Sequence, residues 1–382
     1  MNILILGGDG YLGWPTAMRL SSLGHDVLAV DNYLRRRICR ETSSEPLYEV
    51  PDLAERAELW QSISGRRVKV SIGDLSDWAY VEQIFTAFRP DAVVHYAEQP
   101  SAPYSMMDRE AAALTLQNNL GSTFNLIHAV RQFAPECHIV KLGTMGEYGT
   151  PNIDIEEGWL DVEHKGRKQR FLYPRQAGSL YHTTKVMDTD LLWFYVRAWG
   201  IRVTDLMQGP VYGVETSESA GDLRLYPFLN YDEIFGTVIN RFIVQAVAGH
   251  PLTVFGKGGQ TRGFLNIKDT MNCICLAIET PPEPGELRIF NQFTETFSVR
   301  QLAAIVERVG QSLGLNVRTE SVANPRVEAE EHYYSPAHTG LVELGLKPHP
   351  LTDDVVAGMI RTVQRFQDRI DPSKFLRGVQ WR

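Results

Sequence analysis

Short apolar, largely β-branched runs recur through the first half of the chain. They are NILIL (2–6), HDVLAV (25–30), VKVSI (68–72), AVVHY (92–96), HIVKL (138–142) and RVTDLM (202–207). Continuous runs of this length read as strands buried on both faces. Between them lie segments with apolar residues at helical spacing: PTAMRLSSL, WAYVEQIFTAF and LQNNLGSTFNLIHAVRQF. Strand and helix in strict alternation predict βαβ units and a doubly wound parallel sheet, an α/β fold of the Rossmann type. An additional helical piece, PDLAERAELWQSIS, interrupts the second and third strands. WLDVEHKGRKQRFLYP predicts a small hairpin near 158–174, turning at Lys-Gly. The polar stretch VETSESAGDLRL suits a lid or surface loop. From Tyr231 onward the alternation gives way to helices and short strands. The expected division is a Rossmann domain over 1–230 and a smaller, mainly C-terminal α/β substrate domain over 231–382, with the chain crossing between the two.

Length and charge narrow the classes. The 382 residues are 43% hydrophobic, enough for a large core, and carry a net charge of −8. That balance argues against a nucleic-acid surface, because RRR (35–37) and KGRK (165–168) are too short to make a basic field. No apolar run approaches the ~20 residues of a membrane span. The first strand begins at once, with no signal peptide before it. Cys39, Cys137, Cys273 and Cys275 lack metal-site spacing. They read as buried thiols of a reducing, cytoplasmic protein, with no metal expected.

The first strand runs directly into GGDGYLG, in which Gly7, Gly10 and Gly13 form GxxGxxG. The first glycine permits a tight turn, the second a close approach of backbone to pyrophosphate, and the third helix-on-sheet packing. The helix that follows offers unpaired amides to phosphate. Asp31 ends the second strand, where a carboxylate accepts both ribose hydroxyls and repels a 2′-phosphate; this predicts NAD rather than NADP. Arg35 and Arg36 either hold a 2′-phosphate or brace the adenosine side of NAD, and Asp31 favours the second. Asp74, after the third strand, either reaches the adenine amino group or caps the helix starting near Asp77.

YHTTK places Tyr181 and Lys185 at i and i+4, on one helical face. An ammonium beside a phenol lowers its pKa and makes tyrosine a base for an alcohol proton. The alternative is an exposed Tyr–Lys pair on a helix surface.

With GGDGYLG, Asp31–Asn32, GDL, HYAEQ, NNLGST, a hydroxyl (Thr144) ending the fifth strand and YxxxK in this order, the chain resembles the extended short-chain dehydrogenase/reductase superfamily. KLGTMGEYGTPNIDIEEG, AWGIRVTDLMQGPVYGV, HPLTVFGKGGQTRGFL, FNQFTETFSV and NPRVEAEEHYY are similar to the UDP-sulfoquinovose synthase branch, almost end to end. The short N-terminus resembles bacterial members, which lack a plastid transit peptide. The resemblance implies conversion of UDP-glucose and sulfite to UDP-sulfoquinovose and water, with bound NAD taking hydride from C4 and returning it. It implies Thr144 on the 4-hydroxyl, Tyr181 as acid–base at O4, and Lys185 on the nicotinamide ribose. Tyr11, Leu12, Asn32, Asn118 and Val211 join the implied cofactor cradle.

4,6-Dehydratases of the superfamily carry Asp-Glu after the strand-five hydroxyl; Met145 and Gly146 stand there instead. Glu147 is then the candidate C5 base or water-loss acid, against a solvated loop carboxylate. His182 is a candidate to protonate the leaving hydroxyl or hold sulfite, against an interface histidine. Met145 shapes room for sulfite or fills core. In the substrate half, Arg262 and Arg326 are implied for the diphosphate, Glu328 for the uridine ribose, Thr253 and Phe255 for uracil, and Gln208 toward the sugar diphosphate. Pro100 stands where plant forms carry Arg. Further expectations are a homodimer through the helices carrying YxxxK, a possible sulfite-donor protein as partner, and no membrane insertion. A UDP-sugar 4-epimerase and a catalytically silent NAD-sensing protein are the competing readings.

Overall fold

A computed structural model of the chain describes residues 1–324 and 332–376. Asn2–Leu6 (β1), Asp26–Asp31 (β2), Val68–Ile72 (β3), Ala92–His95 (β4) and His138–Thr144 (β5) follow the predicted apolar runs. Trp159–His164 (β6) and Arg167–Leu172 (β7) pair antiparallel as the predicted hairpin. Lys165 and Gly166, both at positive φ, make its turn, as a two-residue hairpin of this twist requires. Arg202–Gln208 (β8) is the sixth expected strand.

The remaining strands are Val211–Tyr212 (β9), Leu252–Phe255 (β10), Thr261–Asn266 (β11), Leu287–Gln292 (β12), Glu295–Ser298 (β13) and Thr319–Val322 (β14). The main sheet is wholly parallel, in the order β12-β8-β5-β4-β1-β2-β3. Its seventh strand, β12, is absent from the sequence reading. LRIFNQ carries Arg288, Asn291 and Gln292 within six residues, so no apolar run announces it. The strand order reverses between β1 and β4, and in open α/β sheets ligands bind at that crevice. Helix 109–133 begins seven residues before its predicted segment, capped by Asp108.

Beyond β8 the chain builds two small sheets, β10-β14 and β13-β11-β9. A core of their own unites them with helices Val238–Val247, Val299–Ser312 and Asp353–Gln364. VETSESAGDLRL lies against the first helix: Arg19 bonds Glu218, and Trp14 Nε1 donates to the Leu225 carbonyl. It lines no part of the cavity described next.

Candidate active site

A cavity of about 370 Å³ opens at the carboxyl ends of β1, β4, β5 and β8. Gly7, Gly10, Tyr11, Leu12, Gly13, Asp31, Asn32, Arg35, Asn118, Thr144, Tyr181, Gln208 and Val211 all line it, as does Pro100. Helix 180–199 presents Tyr181. Ser179 caps that helix through the His182 amide, and the Tyr181 amide donates to Ser105 Oγ at 3.1 Å. Thr144 Oγ accepts from the Gly146 amide at 3.1 Å, which fixes its rotamer toward the cavity.

Lys185 is buried, and its Nζ sits 6.0 Å from the Tyr181 ring centroid. It donates to the Leu142 carbonyl at 2.6 Å and contacts Glu98 Oε1 at 2.6 Å. A lysine at i+4 predicts a phenol made more acidic. In the chain itself burial holds the Tyr181 phenol well above its ordinary value, and the charges of Glu98, Glu147 and Asp188 add to that. Glu98, in HYAEQ, is a further cavity residue, not among those expected from the sequence. Its signal is a carboxylate where the strand β4 has just ended, on the catalytic side of the sheet.

Glu147 is a correction. It lines no part of the cavity, nor is it a solvated loop carboxylate; it is fully buried. Lys141 Nζ lies 3.3 Å from its Oε1, the Thr144 amide donates to the same oxygen, and Arg175 stands 3.6 Å from Oε2. Lys141, in the middle of β5, also meets Asp205 Oδ2 at 3.2 Å, its ladder partner on β8. Burial raises the Glu147 carboxyl pKa against the lowering pull of Lys141. The turn Met145–Glu147 is a 3₁₀ capping box that bends the side chain back into the core. Met145 packs in the main core.

His182 does not line the cavity either. Its Nδ1 meets Ser179 Oγ at 3.0 Å, and its ring lies against Gly146. A Cβ built at Gly146 falls 2.4 Å from His182 Nε2. The imidazole thus occupies the space into which a larger residue at 146 would grow.

Arg36 is the second correction. It gives a two-pronged hydrogen bond to Asp9, at 2.7 and 2.9 Å, and donates to the Val50 and Pro51 carbonyls. Those bonds consume its guanidinium away from the cavity. Arg56 donates to the same Asp9 at 2.6 Å. Asp9, unremarked in the sequence, is thereby neutralised inside the phosphate loop. Arg35 stays at the cavity, its guanidinium over Phe235 and bonded to Asn230. Asp74 accepts from Asn32 and from the Ser76 amide beside a neighbouring shallow pocket. Asp77 itself is the helix cap.

Thr253 is buried, its hydroxyl accepting from Gln245 at 2.7 Å. Phe255, two residues on, lies under Arg241. Both face helix 238–247, away from the cavity, because β10 buries that side against its own core. Arg262 meets His332 Nε2 at 2.8 Å, also outside the lining. Gln208 Nε2 donates to Gln292 on β12 at 3.0 Å. Arg326 and Glu328 lie outside the described residues.

Residues 3–291 match the NAD dependent epimerase/dehydratase family. UDP-sulfoquinovose synthase of Spinacia oleracea, the chloroplastic protein, is 51% identical over 380 residues, which span 100% of this chain and 79% of that one. UDP-sulfoquinovose synthase of Sulfolobus acidocaldarius is 44% identical over 385 residues, covering 100% and 98%. The chain belongs to the UDP-sulfoquinovose synthase family. Among solved structures, the UDP-glucose 4-epimerase of Bifidobacterium longum, in complex with NAD+ and UDP, shares the fold with a TM-score of 0.72 at 19% identity, over 96% of this chain and 100% of that one.

NAD is the cofactor of this family member, and the loop after β1 fits a dinucleotide. A Cβ at Gly13 falls 2.0 Å from the Gly7 carbonyl oxygen, so only glycine lets the helix close on the loop. Helix 13–22 starts without a side-chain cap; the Trp14 amide bonds the Gly10 carbonyl and Pro15 has no N–H, so the amides of Tyr11, Leu12 and Gly13 are those turned to an anion. Asp31 accepts the Asp9 and Tyr33 amides, which aim its carboxylate at the cavity.

Proposed function

We propose that the chain converts UDP-glucose and sulfite to UDP-sulfoquinovose and water within the cavity at the carboxyl ends of β1, β4, β5 and β8. The observation that carries the reading is Thr144 and Tyr181 lining one cavity with Lys185 buried just behind them, against the cavity residue Glu98, in a chain matched over its whole length by UDP-sulfoquinovose synthases. NAD supplies the hydride chemistry, accepting hydride from C4 and giving it back. Tyr181 takes the O4 proton as C4 becomes a ketone, and Thr144 donates to that oxygen. The ketone acidifies the C5 proton. Loss of that proton and of the C6 hydroxyl leaves a C5–C6 double bond conjugated with the ketone. The sulfur lone pair of sulfite then bonds C6, C5 regains a proton, and Tyr181 returns the proton to O4 as C4 is reduced. Glu147 is not assigned to the C5 step, because its carboxylate is committed to Lys141, Thr144 and Thr189. His182 fills the space beside Gly146 where 4,6-dehydratases carry an acid, which supports a site distinct from theirs.

Two further assignments belong to this reading. The first is a homodimer through helices 109–133 and 180–199: Phe124, Met187 and Phe194 are exposed on them at 44%, 43% and 53%. The second is a cytoplasmic setting, supported by four buried, unpaired cysteines. No helix among the described residues is long and apolar enough to cross a membrane. A donor protein that hands over sulfite remains compatible with the same chemistry.

The test is a product assay on purified protein with UDP-glucose and sulfite, read by mass spectrometry, with the particle mass measured on the same sample. The expected product has gained SO₃ in exchange for one oxygen, and the particle has twice the chain mass. UDP-galactose at unchanged mass would instead make the chain an epimerase, and a monomer would remove the dimer.

Asp31 gives a pH prediction. Burial, then the charge of Asp9, pushes its carboxyl up to about 6. Accepting two ribose hydroxyls requires the carboxylate, so below that pH a proton must be released on binding. NAD affinity is expected to fall by up to tenfold for each pH unit below about 6, and Asp31→Asn is expected to flatten the dependence. Fluorescence titration with NAD across this range measures both; equal slopes in the two proteins would dismiss Asp31.

A further inference from the structure

Glu98 leaves the β4 strand and enters the cavity with only 2% of its side chain exposed. Neither carboxylate oxygen makes a hydrogen bond among the described residues. Its charge is answered by contact instead: Oε1 lies 2.6 Å from Lys185 Nζ. No other carboxylate among the described residues comes within ion-pair distance of that ammonium. A buried carboxylate with open lone pairs is costly, and its placement calls for a role.

We infer that Glu98 is a positioning residue that offsets the charge of Lys185 and so sets the strength of Tyr181 as base and as acid. The inference rests on the Tyr181 role proposed above. In that reaction the phenol takes a proton at the first step and returns it at the last. An unopposed ammonium about 6 Å from the ring would favour phenolate throughout, which serves the first step and impairs the last. A carboxylate touching the ammonium turns a lone charge into a compact pair, whose field at the phenol is much weaker. The same contact and the hydrogen bond to the Leu142 carbonyl fix where the ammonium stands.

The groups around the pair do not duplicate it. From β4, His95 Nε2 lies 3.7 Å from Glu98 Oε1, and burial holds this imidazole down at about 4, so it is neutral at physiological pH. From β5 and β8, Lys141 is matched with Glu147 and Asp205. On helix 180–199, Asp188 is fully buried, and burial and then Glu98 raise it well above the usual carboxylate range. The carboxylate that touches Lys185 is Glu98.

The test uses the full chain loaded with NAD. Ultraviolet difference titration reads the Tyr181 phenol, with Tyr181→Phe as reference to cancel the other tyrosines. The pH profile of kcat/KM with UDP-glucose is measured beside it. Glu98→Gln is expected to move both the phenol titration and the acid limb to lower pH by about one unit or more. Glu98→Asp, which keeps the charge one methylene further back, is expected to move them the same way by less; it carries the test alone if the Gln variant does not fold. An unmoved phenol titration in whichever variant folds overturns the inference. A moved titration without sulfonated product upholds the inference and defeats the reaction; sulfonated product with an unmoved titration does the reverse.

Discussion

Tyr181→Phe is expected to bind NAD and UDP-glucose as the unaltered chain does, and to form product about a hundred- to ten-thousandfold more slowly. The loss should be in kcat with KM little changed. The phenol oxygen matters at the steps where O4 loses and regains its proton, whereas the ring, which Phe keeps, supplies the wall of the cavity. No other side chain stands in for it. Glu147 is committed to Lys141, and the His182 ring lies behind Gly146. The check is steady-state turnover together with calorimetric binding of UDP-glucose to the NAD-loaded variant. Turnover within a few fold of normal would remove Tyr181 from the chemistry. Lost binding with normal turnover per bound substrate would make it a binding residue only.

Lys141→Met is expected to cost about 3–5 kcal/mol of folding stability. Lys141 is fully buried, and its ammonium serves Glu147, Asp205, Thr189 and the Lys185 carbonyl. Methionine fits the volume and leaves two carboxylates in the core without their cation. Burial already raises the Glu147 carboxyl, and loss of Lys141 removes the pull that opposes it. A carboxyl whose folded value lies above its unfolded one favours the fold at low pH and ceases to as pH rises. The deficit of the variant should therefore widen from acid toward neutral pH. Urea denaturation at two pH values measures it, and adding Glu147→Gln should recover part of the loss. A deficit under about 1 kcal/mol, the same at both pH values, would mean that water or Arg175 replaces the lysine.

What the sequence conveyed was what depends on neighbours along the chain. Strand runs, the hairpin turn at Lys165 and Gly166, the glycine loop and the Tyr181–Lys185 spacing are local patterns, and the fold follows them. The fate of each charge depended on partners far off. The state of Glu147 depends on Lys141, six residues away, but also on Arg175 and on the charge of Asp205. Arg36 is taken by Asp9, across the first crossover. One signal was available: Lys141 and Asp205 each interrupt an apolar strand run with a charge. In a sheet covered on both faces such residues must find each other, and their strands place them as direct ladder partners. Thr253 and Phe255 share a face as alternation requires, yet alternation cannot say whether that face meets a ligand or a helix.

The seventh strand of the main sheet has a consequence for biosynthesis. β12 pairs with β8 in register from Leu287↔Val203 to Gln292↔Gln208, so the nascent chain carries β8 as an open edge until Leu287–Gln292 has been made. An exposed parallel edge invites pairing with other chains, and pairings distant in sequence form slowly. A chain cut short within the intervening segment has a sheet lacking its border strand, and Gln208 without the Gln292 that anchors it. The main sheet thus matures only after much of the chain beyond β8 has been translated.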